Sequence, residues 1–294
     1  MTATRPRRRR SAAEAPAPPA LPVSDEEFAR YQALINREAG IWLAPVKKAL
    51  LVGRLARRLR ELGLTSYGAY YARVEADEVE RIRMLDAICT NETHFFREPR
   101  HFEFLAERVY PAWRAEADDG RRPRRVRAWS AACSTGEEPY TLAMSLLGAF
   151  PSGWELEVVA SDLSTKVLDR ASAGLWPIEK AKEIPEAHLK AFMLKGYGAQ
   201  EGLMKAGPEI RGIVRFSRVN LVGDAWPGGP FDLVFCRNVL IYFDRATKIR
   251  VVERLVERLD ARGFLFLGHA ESLGGFTTCA RSVLPTVYAR ATAA

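Results

Sequence analysis

The chain has 294 residues, of which 48% are hydrophobic and 27% charged, with a formal net charge of +8. That length suits one large or two modest domains of an ordinary globular protein, and no apolar run approaches the roughly 20 residues that span a bilayer. The four cysteines (Cys89, Cys133, Cys236 and Cys279) are widely spaced and form no CxxC, which argues against a zinc site or a disulfide framework and predicts a reducing, cytoplasmic setting.

The first 20 residues hold Arg5, Arg7, Arg8, Arg9 and Arg10 against Glu14, which is +4 of the +8. Residues 15–19 (APAPP) cannot build a core, so residues 1–22 are expected to be disordered. No apolar segment follows the arginines, which excludes a secretory signal. Such a run serves as a solvated tail, or as a contact for nucleic acid or an anionic membrane surface.

Ser24 and Glu27 form a capping box that opens a helix with Phe28, Tyr31, Leu34 and Ile35 on one face. A second helix is predicted from about Pro45 to Leu62, with Leu51, Leu55, Leu59 and Leu62 as its buried stripe. Lys47, Arg54 and Arg58 share another of its faces, with Lys48, Arg57 and Arg60 nearby. Helical pattern continues over 66–76 and 78–89. No strand is evident, so residues 23–90 read as a small all-helical domain, with a linker motif and a connecting helix over 91–123.

From Arg124 strands alternate with helices, which predicts a parallel α/β sheet. Val126–Ala131 is the first strand. The small residues 131–136 then make a tight turn where a ligand can lie against bare backbone, and Ser134 or Thr135 is expected to cap the next helix. Glu137, Glu138 and Pro139 suit a first helical turn. The turn is not a GxGxxG, and by itself it also fits any strand-to-helix junction.

A second strand, Trp154–Ser161, ends at Asp162, 26 residues after Gly136, where a carboxylate can accept from both hydroxyls of a ribose. Ser164 or Thr165 caps the following helix, which stops near Gly174. Residues 214–219 and 231–236 read as further strands, followed by Asn220 and Leu221 and by Arg237 and Asn238. Asp244 caps a helix expected to run to Leu259, stopped by Gly263, before a last strand over 264–267. Between 175 and 219 the alternation breaks, and the glycine-rich loop Gly196–Gly202 predicts a small inserted hairpin subdomain, assigned to 176–218.

Five segments carry a family resemblance: residues 91–97 (NETHFFR), 129–140 (WSAACSTGEEPY), 160–162 (ASD), 231–244 (FDLVFCRNVLIYFD) and 268–273 (GHAESL). In this order they resemble the CheR family, the S-adenosylmethionine-dependent glutamate O-methyltransferases of bacterial chemotaxis receptors. The resemblance covers roughly residues 24–288. It implies a small all-α N-terminal domain followed by a class I, Rossmann-like methyltransferase domain over 124–294 with an inserted antiparallel β-subdomain.

Carried over by position, it implies cofactor contacts from Asn91, Thr93, Arg97, Glu138, Asp162, Asn220, Leu221, Arg237 and Asn238. Glu138 would meet the amino group of the cofactor, and Asp162 its ribose. Arg97 and Tyr242 would lie nearest the transferred methyl as catalytic residues, and S-adenosylhomocysteine would be the product, with no metal. Lys47, Arg54 and Arg58 would face acidic receptor helices. The loop Gly196–Gly202 looks like the full-length loop of members that dock a peptide at the receptor C-terminus, which implies an enzyme recruited to membrane receptor arrays.

Two other readings stand beside it. A nucleic-acid methyltransferase fits the positive charge, but residues 237–242 (RNVLIY) do not follow the Asn/Asp-Pro-Pro-aromatic pattern of base amino-methylation, and no Pro-Cys nucleophile is evident. A non-catalytic receptor-binding adaptor of the same fold would be expected to lose motif residues, and every motif position is occupied.

Overall fold

The computed structural model describes residues 22–223, 225–275 and 277–291. Apart from Pro22, the tail over residues 1–22 lies outside them. Four helices form the N-terminal unit: α1 (Asp25–Ala39), α2 (Lys48–Glu61), α3 (Tyr67–Ala76) and α4 (Glu78–Ile88). The capping box of α1 is formed on both sides, with the Glu27 amide donating to Ser24 at 3.1 Å and the Ser24 amide to Glu27 at 2.8 Å. Gly40 ends α1 at φ 69°, a left-handed cap that glycine adopts without a Cβ penalty. Tyr31, Leu34, Leu51, Leu55, Leu59, Tyr70, Val74 and Met84 make its own core. Leu62 is only half-buried, at the cap of α2.

A helical rod follows, α5 (Pro99–Phe104) and α6 (Tyr110–Asp118), joined by a π-type turn over Leu105–Val109. The sheet domain contains β1 (Arg125–Ala131), α7 (Glu137–Ala149), β2 (Glu155–Asp162), α8 (Thr165–Ala173), β3 (Leu175–Pro177), α9 (Glu186–Phe192), β4 (Met193–Lys195), β5 (Leu203–Ala206), α10 (Pro208–Ile213), β6 (Val214–Arg218), β7 (Phe231–Cys236), α11 (Arg245–Glu257), β8 (Leu259–Leu267), β9 (Ala280–Leu284) and β10 (Val287–Arg290). The main sheet has the order β6-β2-β1-β7-β8-β10-β9. Its first five strands run parallel, and β10 pairs antiparallel with β8 on one side and β9 on the other. Burial on both faces explains the near-continuous apolar run of β7, and the four residues that end β1 are buried as well. The sheet separates two apolar layers, one around Phe102, Tyr110, Leu142 and Phe235, the other around Trp129, Val234, Val252 and Leu255.

Three expectations need correction. The insert 176–218 is too long, because only β3, β5 and β4 form the separate small sheet, while β6 pairs with β2 in the main one. The helix after Asp244 stops at Glu257, and Leu259 already pairs with Phe231, so Gly263 lies inside β8 and is no helix stop. A Cβ on Gly263 would stand 2.8 Å from the Phe231 carbonyl oxygen, so glycine serves close strand approach there. Neither Ser134 nor Thr135 caps α7. Its cap is Gly136 at φ 97°, a left-handed position suited to glycine, which has no side chain to accept a capping hydrogen bond.

Candidate active site at the carboxyl edge of the sheet

The carboxyl ends of β1, β2 and β7 meet where the strand order reverses, the place at which open α/β sheets hold ligands. After β1, Ala132 and Ser134 take φ 70° and 49°, sparsely populated values for residues with a side chain, and Gly136 follows at 97°. The turn is held from β2: the amides of Ala132 and Cys133 both donate to the Ser161 carbonyl at 2.8 Å, and the Ser134 amide donates to the Asp162 carboxylate at 2.9 Å. The other Asp162 oxygen accepts the Ser164 amide at 2.9 Å. Burial pushes the Asp162 carboxyl above its ordinary range, opposed by these amides. Strain stored beside a buried carboxylate marks a functional edge.

Residues Asn91–Arg97 form a strap without helix or strand, and its carbonyls are held one by one. The Ser134 hydroxyl donates to Asn91 at 3.0 Å, the Arg97 guanidinium to Glu92 at 3.2 Å, and Lys180 to Thr93 at 3.0 Å. Arg237 donates to the carbonyl of Arg97. The amides of Phe95 and Phe96 donate to Glu183 and Thr141 at 2.9 and 3.2 Å. With the backbone tied this way, Asn91, Thr93 and Arg97 are left to line the cleft.

The end of β7 supplies the third wall. The Ser130 hydroxyl and Arg237 Nε each donate to one Glu138 oxygen, at 2.6 and 2.7 Å. Each oxygen keeps a second lone pair for an ammonium group. Asn238 stands at φ 60°, and Glu271 holds the loop beyond it by accepting the amides of Asn238, Gly268 and Ile241 at 2.7, 2.8 and 3.2 Å. Burial pushes the Glu271 carboxyl up. The loop then presents Tyr242 to the cleft.

The helical unit closes the fourth side. The Trp42 amide donates to the Tyr242 carbonyl at 2.7 Å, and Ile41 bridges Phe243. The Asn220 side-chain amide donates to the Glu38 carbonyl at 2.6 Å. Together these walls enclose a cleft of about 1120 Å³ including its mouth.

Asn91, Thr93, Arg97, Glu138, Asp162, Asn220, Leu221, Arg237, Asn238 and Tyr242 all line this cleft, as does Lys47 at its rim. Arg54 and Arg58, expected to face receptor helices, do not line it and are held by contacts within the helical unit. Arg54 donates to the Ile88 carbonyl and to Thr90, and Arg58 is paired with Glu80 and Glu61. A cation on a helix flank takes the nearest buried carboxylate, here the 2%-exposed Glu80, before it serves the surface. Arg237 reaches the cleft edge, but its guanidinium is taken up by Glu138 and the Arg97 carbonyl.

Sequence reasoning assigned no role to Lys180 or Glu271, and gave Ser134 only that of a helix cap, whereas it ties the turn to Asp162 and to the Asn91 carbonyl. The polar run after β8 was a usable signal for Glu271, whereas nothing local marks Lys180. The cleft suits a nucleoside-bearing, charged ligand: it offers the Asp162 carboxylate, apolar Leu43 and Leu221, and a buried Asn238 Oδ1 without a partner among the described residues. No cluster of three or more metal-ligating side chains occurs among the described residues, and no helix among them is long and apolar enough to cross a membrane.

Two family profiles match the chain: "CheR methyltransferase, all-alpha domain" over residues 26–89, and "CheR methyltransferase, SAM binding domain" over residues 91–288. The chain is 41% identical over 258 residues to the chemotaxis protein methyltransferase of Salmonella typhimurium, covering 86% of this chain and 85% of that one. It is 40% identical over 258 residues to the Escherichia coli protein of the same name, covering 86% of each. It is also 40% identical over 270 residues to chemotaxis protein methyltransferase 2 of Pseudomonas aeruginosa, covering 90% of this chain and 93% of the relative. An all-α unit, a switch-point cleft and these matches over most of the chain lead to one conclusion: the protein belongs to the CheR family of S-adenosylmethionine-dependent methyltransferases.

Proposed function

We propose that the chain methylates glutamate side chains on the cytoplasmic helices of chemotaxis receptors, forming carboxyl methyl esters in sensory adaptation. The observation that carries this reading is the meeting of Arg97 and Tyr242 in one cleft with the eight other residues expected to hold the cofactor. In that cleft Asp162 accepts the ribose hydroxyls and Glu138 meets the amino group. Asn91, Thr93, Asn220, Leu221 and Asn238 line the remaining surface. Arg237 acts through Glu138 and the Arg97 carbonyl.

When bound, S-adenosylmethionine would supply an electrophilic methyl on a sulfonium sulfur, so that transfer to a carboxylate oxygen would exchange a C–S bond for a C–O bond and give a neutral ester with S-adenosylhomocysteine. A glutamate of ordinary pKa near 4.3 is already ionised at neutral pH, so the chain needs no general base. What its residues contribute is in-line placement, worth several kcal/mol, and exclusion of water. A two-point clamp by Arg97 would orient the attacking carboxylate but weaken it as a nucleophile. Arg97 therefore contacts one oxygen or the cofactor, and Tyr242 orients the other oxygen.

Recruitment is the second part of the proposal. Lys47 and Arg60 are exposed and suit acidic receptor helices. The outer strand β4 carries exposed Leu194, and exposed Tyr197 follows it in the loop Gly196–Gly202. A Cβ on Gly196 would stand 2.0 Å from the Gln200 carbonyl oxygen, so glycine closes this loop. A receptor C-terminal peptide docks here by strand addition, bringing the enzyme to membrane arrays from the cytoplasm.

The test is transfer of radiolabelled methyl to receptor signalling fragments, followed by alkaline treatment. Volatile, base-released label is the expected result, whereas base-stable label overturns the ester assignment. A parallel titration with the receptor C-terminal peptide is expected to saturate, and absence of binding at high micromolar concentration removes the docking proposal.

A further inference from the structure

We propose that Lys180 is a positioning residue for the cofactor site, and that through it the inserted subdomain forms a working wall of that site. The 3-10 turn Ile178–Glu183 follows directly on β3 of the small sheet. Lys180 Nζ donates to the Thr93 carbonyl at 3.0 Å and to Glu137 at 2.6 Å. From the same turn, Glu183 accepts the Phe95 amide at 2.9 Å. One turn of the insert thus holds two alternate residues of the strap that carries Asn91, Thr93 and Arg97.

The packing runs the same way. Phe95 meets Trp176 of β3 edge-on at 5.0 Å, and Trp176 meets Tyr140 of α7 at 5.1 Å. On the other side of the strap Phe96 lies 5.3 Å from His188 of α9. The strap is therefore clasped between the insert and α7. Having no regular ladder of its own, it depends on these separate tethers, and a segment held so opens locally at small cost.

Lys180 joins the tethers. Glu137, in the first turn of α7, is 1% exposed and its second oxygen accepts the Thr135 hydroxyl at 2.7 Å. A carboxylate buried so deeply requires a cation, and Lys180 is the one within ion-pair distance among the described residues. The same ammonium reaches Thr93, so the charge of Glu137 fixes where Lys180 stands and Lys180 fixes where Thr93 stands. Misplacement by about 1 Å at such a point is enough to lower binding and rate.

The assignment rests on the cofactor reading of the cleft and not on the identity of the methyl acceptor, so the binding test that decides it needs no acceptor. Full-length Lys180→Met is expected to bind S-adenosylhomocysteine roughly tenfold more weakly by calorimetry, the size of one lost charged hydrogen bond. In turnover assays the KM for S-adenosylmethionine rises while kcat at saturation largely recovers. Methionine leaves Glu137 buried without its cation, so the double variant Lys180→Met with Glu137→Gln is measured beside it and its cooperative melting recorded. Weakened binding in both proteins supports the assignment. Wild-type affinity in the single variant overturns it. Recovery of wild-type affinity in the double variant also overturns it, because Lys180 would then serve only as a counter-ion for Glu137.

Discussion

Arg237 Nε donates to the Glu138 carboxylate at 2.7 Å, and this 2%-exposed guanidinium ties the end of β7 to the first turn of α7. The same fork reaches the carbonyl of Arg97, and a Glu98 oxygen lies 3.8 Å away. One buried cation thus sets the spacing between Glu138 and Arg97, the residue proposed to lie nearest the chemistry.

Removing it is expected to be costly. Arg237→Ala leaves Glu138 and Glu98 without a buried cation and frees the Arg97 backbone, so stability falls by about 3–5 kcal/mol. Urea denaturation checks this, and a loss below about 1 kcal/mol, the scale of an exposed pair, would count against a structural role for the cluster.

The loop beyond β7 depends on Glu271 and on the missing side chain of Gly268. An added Cβ at Gly268 would stand 2.7 Å from Asn238 Nδ2, 2.8 Å from a Glu271 oxygen and 2.9 Å from the Asn238 amide. Gly268→Ala is therefore expected to destabilise by about 1–3 kcal/mol through overpacking and to weaken S-adenosylhomocysteine binding. Glu271→Ala strands three amides and should weaken that binding at least as much, by displacing Asn238 and Tyr242. Thermal melts with calorimetry separate the two effects.

Arg97→Ala and Tyr242→Phe address placement of the acceptor. Each is expected to lower kcat on the order of 100-fold with modest loss of cofactor affinity, since both are proposed to place the acceptor carboxylate. Near-normal turnover in both variants would refute the catalytic assignment.

His101 gives a pH dependence. Burial, reinforced by the Arg237 cation, pushes its pKa from the ordinary 6.5 to about 4, against the opposing pull of Glu98. Between these values the unfolded chain binds the extra proton and the folded chain does not. Stability therefore rises with pH through that window, is fully present above about 6.5, and is lost on acidification toward 4, with a ceiling of about 3 kcal/mol. Denaturation at pH 7 and pH 5 should show this slope, and His101→Gln should flatten it.

Much of the edge was legible because small-residue turns, capping residues and polar groups at the ends of apolar strands are local signals. Asp162, Arg237, Asn238 and Tyr242 each follow an apolar run or a turn, and that position alone sends them toward the carboxyl edge of a parallel sheet. The misreadings also have physical causes. Leu259 continued the helical period of α11, but pairing with Phe231 drew it into β8. Arg58 kept step with Lys47 on one helical face, yet a buried carboxylate 22 residues away claimed it.

What the sequence determined by itself, then, was an all-α unit ahead of a parallel sheet, a cofactor edge marked by its motifs, and the residue types able to work there. Only the tertiary structure decided which polar groups pair: Lys180 with Thr93 across 87 residues, Arg237 with Glu138 across 99, Asn220 with Glu38 across 182. The reason is that periodicity and capping act over a few residues and leave their mark in local pattern. A buried charge instead takes whichever partner the packing places within hydrogen-bond reach, and that distance exists only once the chain has folded.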